Sequence, residues 1–398
     1  MDKAKRIAIA KRVLELVDQG VPDYGEESWE TDIGRFTDKA RFELEKQKLF
    51  LERPQMIAIT GDIPNPGDYY ATEIAGRPII LTRDKDGKAH AFLNACRHRG
   101  VQLAEGCGHA KGFTCPYHGW TYGIDGELLS VPSRMAFEES QLKNRNLIEL
   151  PLAEEVGCIL VHPQPGGHLD FDEFMGPMKE YLEDFEVADY RLVKAYRAPQ
   201  QINWKHAVDG GLEAYHVPFL HKNTFGTDGL QQLLHMQFGD HHALIAPSKE
   251  ILELRDKPES EWPHSCHFMS TNAIFPNTVI GGGRPVLYFQ RSEPGEHPGV
   301  CDYVFRIYGR KDPTPEEKKI QEAAAEFFFA VSLQEDMPTQ RSSQIMMEAG
   351  AVPSVLFGKR EICLTRMHKA YDAAIGHDAE LALRNNAAAM GISALAAE

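Results

Sequence analysis

Two short segments of the chain each place a cysteine and a histidine at close spacing: Cys96-Arg97-His98, and Cys115-Pro116-Tyr117-His118, with residues 99–114 between them. A fold that uses this Cys-x-His…Cys-x-x-His pattern must bring two loops to one centre, because each offers one thiolate and one imidazole. One iron of a two-iron, two-sulfide cluster can then take both sulfurs and its neighbour both nitrogens. Neutral imidazoles in place of two thiolates make the cluster less negative and raise its potential, which suits an electron relay. Zinc sites usually join a closely spaced cysteine pair to a closely spaced histidine pair, and the Cys-x-His half does not match that plan. Cys107 lies between the two segments but outside the pattern and reads as a free thiol.

The residues around the pattern alternate short β-type runs (56–60, 78–82, 91–93) with turn signals such as Pro64-Asn65-Pro66-Gly67, Asp86-Gly87 and Asp125-Gly126. Residues 51–165 therefore read as an all-β module, closed by a Pro- and Gly-rich stretch at 163–167. Residues 166–398 mix helical and strand segments, so the second domain is α+β. Residues 1–50 read as N-terminal helices, the first stopping at Asp18-Gln19-Gly20 and the second spanning 37–51. A further helix is expected over 315–333, and the alanine-rich last twenty-odd residues read as a helix or a frayed end.

Cys96-Arg97-His98-Arg99-Gly100 followed by Cys115-Pro116-Tyr117-His118-Gly119-Trp120 resembles the Rieske domain of aromatic-ring-hydroxylating oxygenases. Asn65-Pro66-Gly67-Asp68-Tyr69 and Phe92-Leu93-Asn94 are similar to that family as well. The resemblance extends roughly over residues 40–350. It implies a Rieske domain that holds a [2Fe–2S] cluster on Cys96, His98, Cys115 and His118, and a larger catalytic domain, with an antiparallel sheet flanked by helices, on which the N-terminal helices pack. Arg97, Arg99 and Lys111 make the pattern locally basic on an acidic chain. They could guide an acidic ferredoxin or reductase, or be the incidental charge of a solvated loop.

A stand-alone electron carrier would need little beyond the β module, yet the chain continues into the segment 203–221, which holds Asp209, Glu213, His216 and His221. If this segment is helical up to about His216, then Asp209, Glu213 and His216 are spaced to share one face. Pro218 would interrupt the helix and let His221 turn back towards His216. Two imidazoles and one carboxylate on a ferrous ion leave positions open for O2 and substrate. The resemblance implies the third ligand: Gln334-Glu335-Asp336, followed by Gln344, is similar to the family's distal acidic motif, which assigns Asp336, with Glu335 as the alternative. The plainer reading of these residues is polar side chains at helix ends.

The resemblance also implies a route for electrons. An acidic residue three positions before the first iron histidine, here Glu213, would bridge that histidine and a cluster histidine, His118, of a neighbouring subunit. A carboxylate can accept from two N–H groups and hold each imidazole in its metal-binding tautomer. The family usually has aspartate here; glutamate occurs in a branch that oxidises quaternary ammonium compounds such as carnitine. Asp209 is the second candidate for the bridge. Such a bridge implies a homotrimer with head-to-tail contacts, with or without a small beta subunit.

Net charge of −15 disfavours a nucleic-acid partner. No apolar stretch approaches the ~20 residues of a membrane span, and Lys3, Lys5, Arg6, Lys11 and Arg12 interrupt the N-terminus. Seven cysteines (Cys96, Cys107, Cys115, Cys158, Cys266, Cys301, Cys363) argue for thiols and metal ligands over a disulfide framework, hence a cytoplasmic setting. No Gly-x-Gly-x-x-Gly fingerprint follows a strand, so NAD(P)H chemistry belongs to a separate reductase or ferredoxin system. Phe225, Phe238, Phe268, Phe275 and Phe289 could wall a substrate pocket or simply fill the core. Three functions compete: hydroxylation of a small aromatic compound, monooxygenation of a quaternary ammonium or methylated substrate, and electron carriage without oxygen chemistry.

Overall fold

The structure is a computed structural model that describes residues 3–226, 229–283 and 285–376; the alanine-rich tail lies outside these residues. The described residues divide into two compact units, one comprising 50–174 and 186–191, the other 3–49, 175–185 and the described part of 192–376.

The first unit is all-β. Its runs are too short to be stable as isolated pairs, so they gather into a five-stranded sheet and two three-stranded sheets. In the larger sheet Asp68–Ile74, Arg77–Arg83 and Ala89–Leu93 form an antiparallel meander. Gly112–Thr114, Thr121–Gly123 and Leu128–Ser130 make one of the small sheets. The two Cys/His segments follow closely on these strands, Cys96 after Ala89–Leu93 and Cys115 after Gly112–Thr114.

The second unit is built on a seven-stranded sheet in which six consecutive strands, from Leu234–Phe238 to Cys301–Arg310, pair antiparallel in chain order. Tyr190–Gln200 lies at the far edge beside Cys301–Arg310. Side chains alternate between the two faces of such a sheet. In the pairs Tyr288↔Ile307 and Gln290↔Phe305, this puts Tyr288, Gln290, Tyr303 and Phe305 on the face that lines a cavity. Phe289, one residue out of phase, is buried on the other face.

Helices cover this sheet. Pro315–Ala330 opens with a capping box between Thr314 and Glu317, passes into a π-helical turn at Val331–Asp336, and resumes as Met337–Glu348. The N-terminal region is helical at Lys3–Gln19 and Lys39–Glu45, with a π turn at Lys46–Leu51, but Trp29–Asp32 is a strand paired with Ser354–Phe357. A pairing across that much sequence leaves no local periodic signal. Among the described residues, no helix is long and apolar enough to cross a membrane.

Candidate metal centres and cavity

In the β unit the two Cys/His loops share one hydrogen-bond plan. The Cys96 amide donates to Val101 O and the Gly100 amide to Cys96 O; the Cys115 amide donates to Trp120 O and the Gly119 amide to Cys115 O, all at 2.8 to 2.9 Å. Closing each loop this tightly needs a left-handed residue, and Gly100 (φ 78°) and Gly119 (φ 70°) supply it. Both cysteines are buried in a cluster with Phe113, Trp120, Tyr122 and Val131. His98 stacks on Trp120 at 5.0 Å and meets the edge of His118 at 4.6 Å, while His118 is exposed.

The Nδ1 atom of His98 is buried without a hydrogen-bond partner. An orphaned ring nitrogen beside two buried thiols and a second imidazole fits a metal-sulfur cluster. Desolvation, then the neighbouring His118, Arg99 and Arg145, hold His98 below its ordinary pKa and hence neutral. Tyr122 Oη lies 3.5 Å from Cys96 Sγ and accepts from the Arg97 amide at 2.9 Å, so one phenol fixes both the sulfur and its loop. Of the basic residues, Arg97 caps the carbonyls of Asn144 and Asn146, and Arg99 lies over the Tyr117 ring. Lys111 is exposed.

In the α+β unit the expected helix through His216 does not form. It spans only Trp204–Asp209 and stops at Gly210-Gly211, where the side chain that would favour helix is missing. Asp209 and Glu213 therefore do not share a face. Asp209 turns to His368, whose Nε2 lies 3.0 and 3.1 Å from its two carboxylate oxygens. Glu213 instead binds His216 Nδ1 and accepts from the amides of Tyr215 and His216. Pro218 also acts differently from the expectation. It sits in the first turn of a one-turn helix, Val217–Leu220, with His216 at its N-cap and His221 at its C-cap. One turn thus separates the two imidazoles and brings them to a common point.

The Nε2 atoms of His216 and His221 lie 3.2 Å apart, and Asp336 Oδ1 is 3.0 Å from His221 Nε2 and 3.7 Å from His216 Nε2. These three atoms form one of two groups of metal-ligand geometry among the described residues. Three donors this close, with two imidazoles facing nitrogen to nitrogen, fit a cation at their centre. Behind His221, Glu335 Oε2 lies 2.5 Å from Nδ1, and its other oxygen accepts from Thr224. Glu335, the alternative ligand in the sequence reading, is thus placed behind a histidine, a position the sequence alone did not suggest. The π turn makes this possible by widening the helix where Glu335 and Asp336 leave it. Pro338 supplies no amide to the turn before it, a signal of disruption present in the sequence.

Electrostatics follow the burial. Asp336 is pushed up to about 6 by desolvation, which outweighs attraction from His221 and His216. At His216 burial works downward, but the Glu213 hydrogen bond and charge, with Asp336, hold the imidazole above its ordinary pKa. Hydrogen bonds from Thr224 and His221 keep Glu335 low.

A cavity of about 400 Å³ is lined by His216, His221 and Asp336. Its wall carries the rings of Phe225, Tyr288, Tyr303, Phe305 and Phe328, with Leu230, Leu233, Leu244, Met269 and Val331. Its polar side chains are largely paired among themselves, Tyr288 with Thr271 at 2.6 Å and Tyr303 with Ser332 at 2.9 Å. Gln290 and Gln340 donate to backbone carbonyls. No lysine or arginine is among the described lining residues. Of the five phenylalanines read as either pocket wall or core, Phe225 lines the cavity; Phe275 and Phe289 are core residues, and Phe238 and Phe268 lie off the wall.

Comparison with known proteins gives two matching family models, "Rieske [2Fe-2S] domain" over residues 53–145 and "Ring hydroxylating alpha subunit (catalytic domain)" over 187–377. The carnitine monooxygenase oxygenase subunit of Escherichia coli K12 is 28% identical over 272 residues, 66% of this chain and 71% of the relative. The large oxygenase component of salicylate 5-hydroxylase from Ralstonia sp. is 28% identical over 342 residues, 73% of this chain and 78% of the relative. Among solved structures, naphthalene 1,2-dioxygenase from Rhodococcus sp. bound to indole superposes with a TM-score of 0.74 at 21% identity, covering 92% of this chain and 97% of that one. A quaternary ammonium Rieske monooxygenase in complex with L-carnitine gives 0.73 at 20%, covering 88% and 96%. The two structures support the same α+β fold.

Proposed function

This chain belongs to the Rieske ring-hydroxylating oxygenases, as the large subunit of a terminal oxygenase with a [2Fe–2S] cluster and a mononuclear iron, and from that premise we propose that its substrate is a small, uncharged, aromatic molecule. In this reading residues 51–165 carry the cluster on Cys96, His98, Cys115 and His118. Residues 166–398 carry the iron on His216, His221 and Asp336, and residues 1–50 pack on that catalytic part. When bound, the two metal centres supply the electrons and the oxygen activation that hydroxylate the substrate.

The chain's own residues do the rest. Glu213 and Glu335 each accept from the Nδ1 side of an imidazole, which fixes the tautomer that leaves Nε2 free for metal. Glu213 uses three of its roughly four acceptor positions on His216 and two amides. The one left can take the N–H of His118 from a second subunit in a homotrimer. Large subunits of this family work with a reductase or ferredoxin, and the basic rim at Arg97, Arg99 and Lys111 is where we place an acidic donor. A beta subunit is compatible with this arrangement, and the unpaired cysteines suit a cytoplasmic setting.

The observation that carries the substrate class is the lining. An aromatic wall whose tyrosine hydroxyls are already paired, with Gln340 Oε1 its one orphaned buried amide oxygen, binds an apolar ring, and a carboxylate entering it would meet no lysine or arginine among the described lining residues. An unpaired buried charge costs several kcal/mol. The second reading, a quaternary ammonium substrate, rests on Glu213 and on the similarity to carnitine monooxygenase. Aromatic rings also bind such cations by cation–π attraction. Substrate-stimulated O2 uptake with a reductase and ferredoxin separates the two. Neutral one- and two-ring aromatics should stimulate uptake with product formed, and carnitine or salicylate should be at least ~100-fold poorer, the factor that about 2.7 kcal/mol represents. Stimulation by carnitine alone would transfer the assignment to the second reading.

A further inference from the structure

Away from the iron ligands, a second group of potential ligands joins the C-terminal helix to the edge of the large sheet. His235 and His242 stand on the adjacent strands Leu234–Phe238 and His241–Pro247. In their register His235 faces Leu244, so the two histidines are diagonal neighbours on one face. Their rings approach to 3.1 Å between His235 Nε2 and His242 Nδ1. Cys363 lies in the first turn of the helix Ile362–Ile375, and one donor atom from each of the three residues falls within 4.8 Å of the others.

His242 is fully buried and Cys363 is 2% exposed. The Nε2 atom of His242 has no hydrogen-bond partner, an omission that costs free energy in a packed interior. From this geometry we infer a second, structural metal site, formed by His235, His242 and Cys363, that takes a zinc-class ion and staples the C-terminal helix to the sheet edge. Two imidazoles and a thiolate are the mixed nitrogen and sulfur set that zinc prefers, and hard cations such as magnesium would not select it. The site is independent of the substrate assignment.

The protonation states are consistent with this chemistry. Burial, with the nearby Arg366, holds His235 at about 4, and burial, with His235 and then Arg366, holds His242 at about 3, so both imidazoles are neutral near pH 7. Burial pushes the Cys363 thiol up, so binding must expel its proton: Zn2+ and the thiol give the zinc thiolate and one H+. Arg366 opposes the ion. It donates to His235 Nδ1 at 3.3 Å, which puts the proton of neutral His235 on Nε2. It also holds Gln237 Oε1 at 3.0 Å. Coordination through Nε2 moves that proton to Nδ1 and leaves Arg366 on Gln237, so Arg366→Gln should retain zinc more tightly.

The test uses the full-length holoenzyme, loaded with zinc and washed with a weak chelator. Metal analysis should find about one zinc per chain in addition to iron. X-ray absorption at the zinc edge should show a sulfur neighbour at about 2.3 Å and nitrogens at about 2.0 Å. Asp336→Ala should leave this zinc in place, which separates it from zinc lodged at the iron ligands. Cys363→Ser should remove the sulfur shell and lower retention at least tenfold. Absence of zinc from the washed wild type, or a shell of nitrogen and oxygen alone, would overturn the site without recourse to any variant. A sulfur shell that survives Cys363→Ser would do the same.

Discussion

At the scale of single residues, the iron centre we propose is a pair of imidazoles whose outer nitrogens are held by carboxylates and whose inner nitrogens face Asp336. Asp336→Ala should remove the mononuclear iron, leave the reduced cluster's EPR signal intact and abolish product. Undiminished turnover would move the third ligand elsewhere. Glu335→Gln should weaken iron binding by about 10- to 100-fold, the usual penalty for losing such a support, while Asp336 still ligates. Asp209 has a separate role. Burial raises it from 3.8 to about 7, so its protonated form is favoured in the fold. The stability this contributes is complete below the unfolded value near 3.8 and lost as pH rises through about 7. A shift of this size is worth roughly 2 to 4 kcal/mol. Asp209→Asn should therefore gain stability relative to wild type between pH 5 and 8, measured by denaturant unfolding; parallel pH profiles would contradict the burial of a charge there. The residues we propose for the cluster stand out in the sequence because Cys-x-His and Cys-x-x-His are local patterns. Asp336 stands out from Glu335 only through resemblance, since nothing local separates the two.

At the scale of elements, irregular backbone positions the chemistry. A helix that ends at Gly210-Gly211, a one-turn helix with a histidine at each end and a π turn inside a long helix each break a periodic pattern. Sequence periodicity extends a helix through such a point, which is why Asp209 and Glu213 were expected on one face. The Gly-Gly pair and Pro338 were the available signals. The Trp29–Asp32 strand had none, because its partner lies at Ser354–Phe357. In the cluster loops, a Cβ at Gly119 would meet Pro132 Cγ at 3.1 Å, whereas one at Gly100 would meet nothing within 4 Å. Both positions have positive φ, so Gly100→Ala should cost about 1 to 2 kcal/mol and Gly119→Ala more. Thermal loss of the cluster's visible absorption should rank them in that order; the reverse order would mean the loops are not held as described.

At the scale of the whole molecule, the family architecture divides labour between a β unit that relays electrons and an α+β unit that uses them. If Glu213 of one subunit receives His118 of another, a mixed oligomer of Cys96→Ser and Asp336→Ala subunits should recover part of the activity that each parent lacks. Failure of mixing to restore any turnover would confine electron transfer to one chain. The claim beneath all of these is that one polypeptide builds two distinct iron centres. The most direct measurement is iron per chain in the reconstituted protein, with Mössbauer spectra to separate cluster from mononuclear iron. Three irons are expected, two of them in the cluster, falling to two in Asp336→Ala and to one in Cys96→Ser. Two irons in the wild type, all in the cluster, would contradict it.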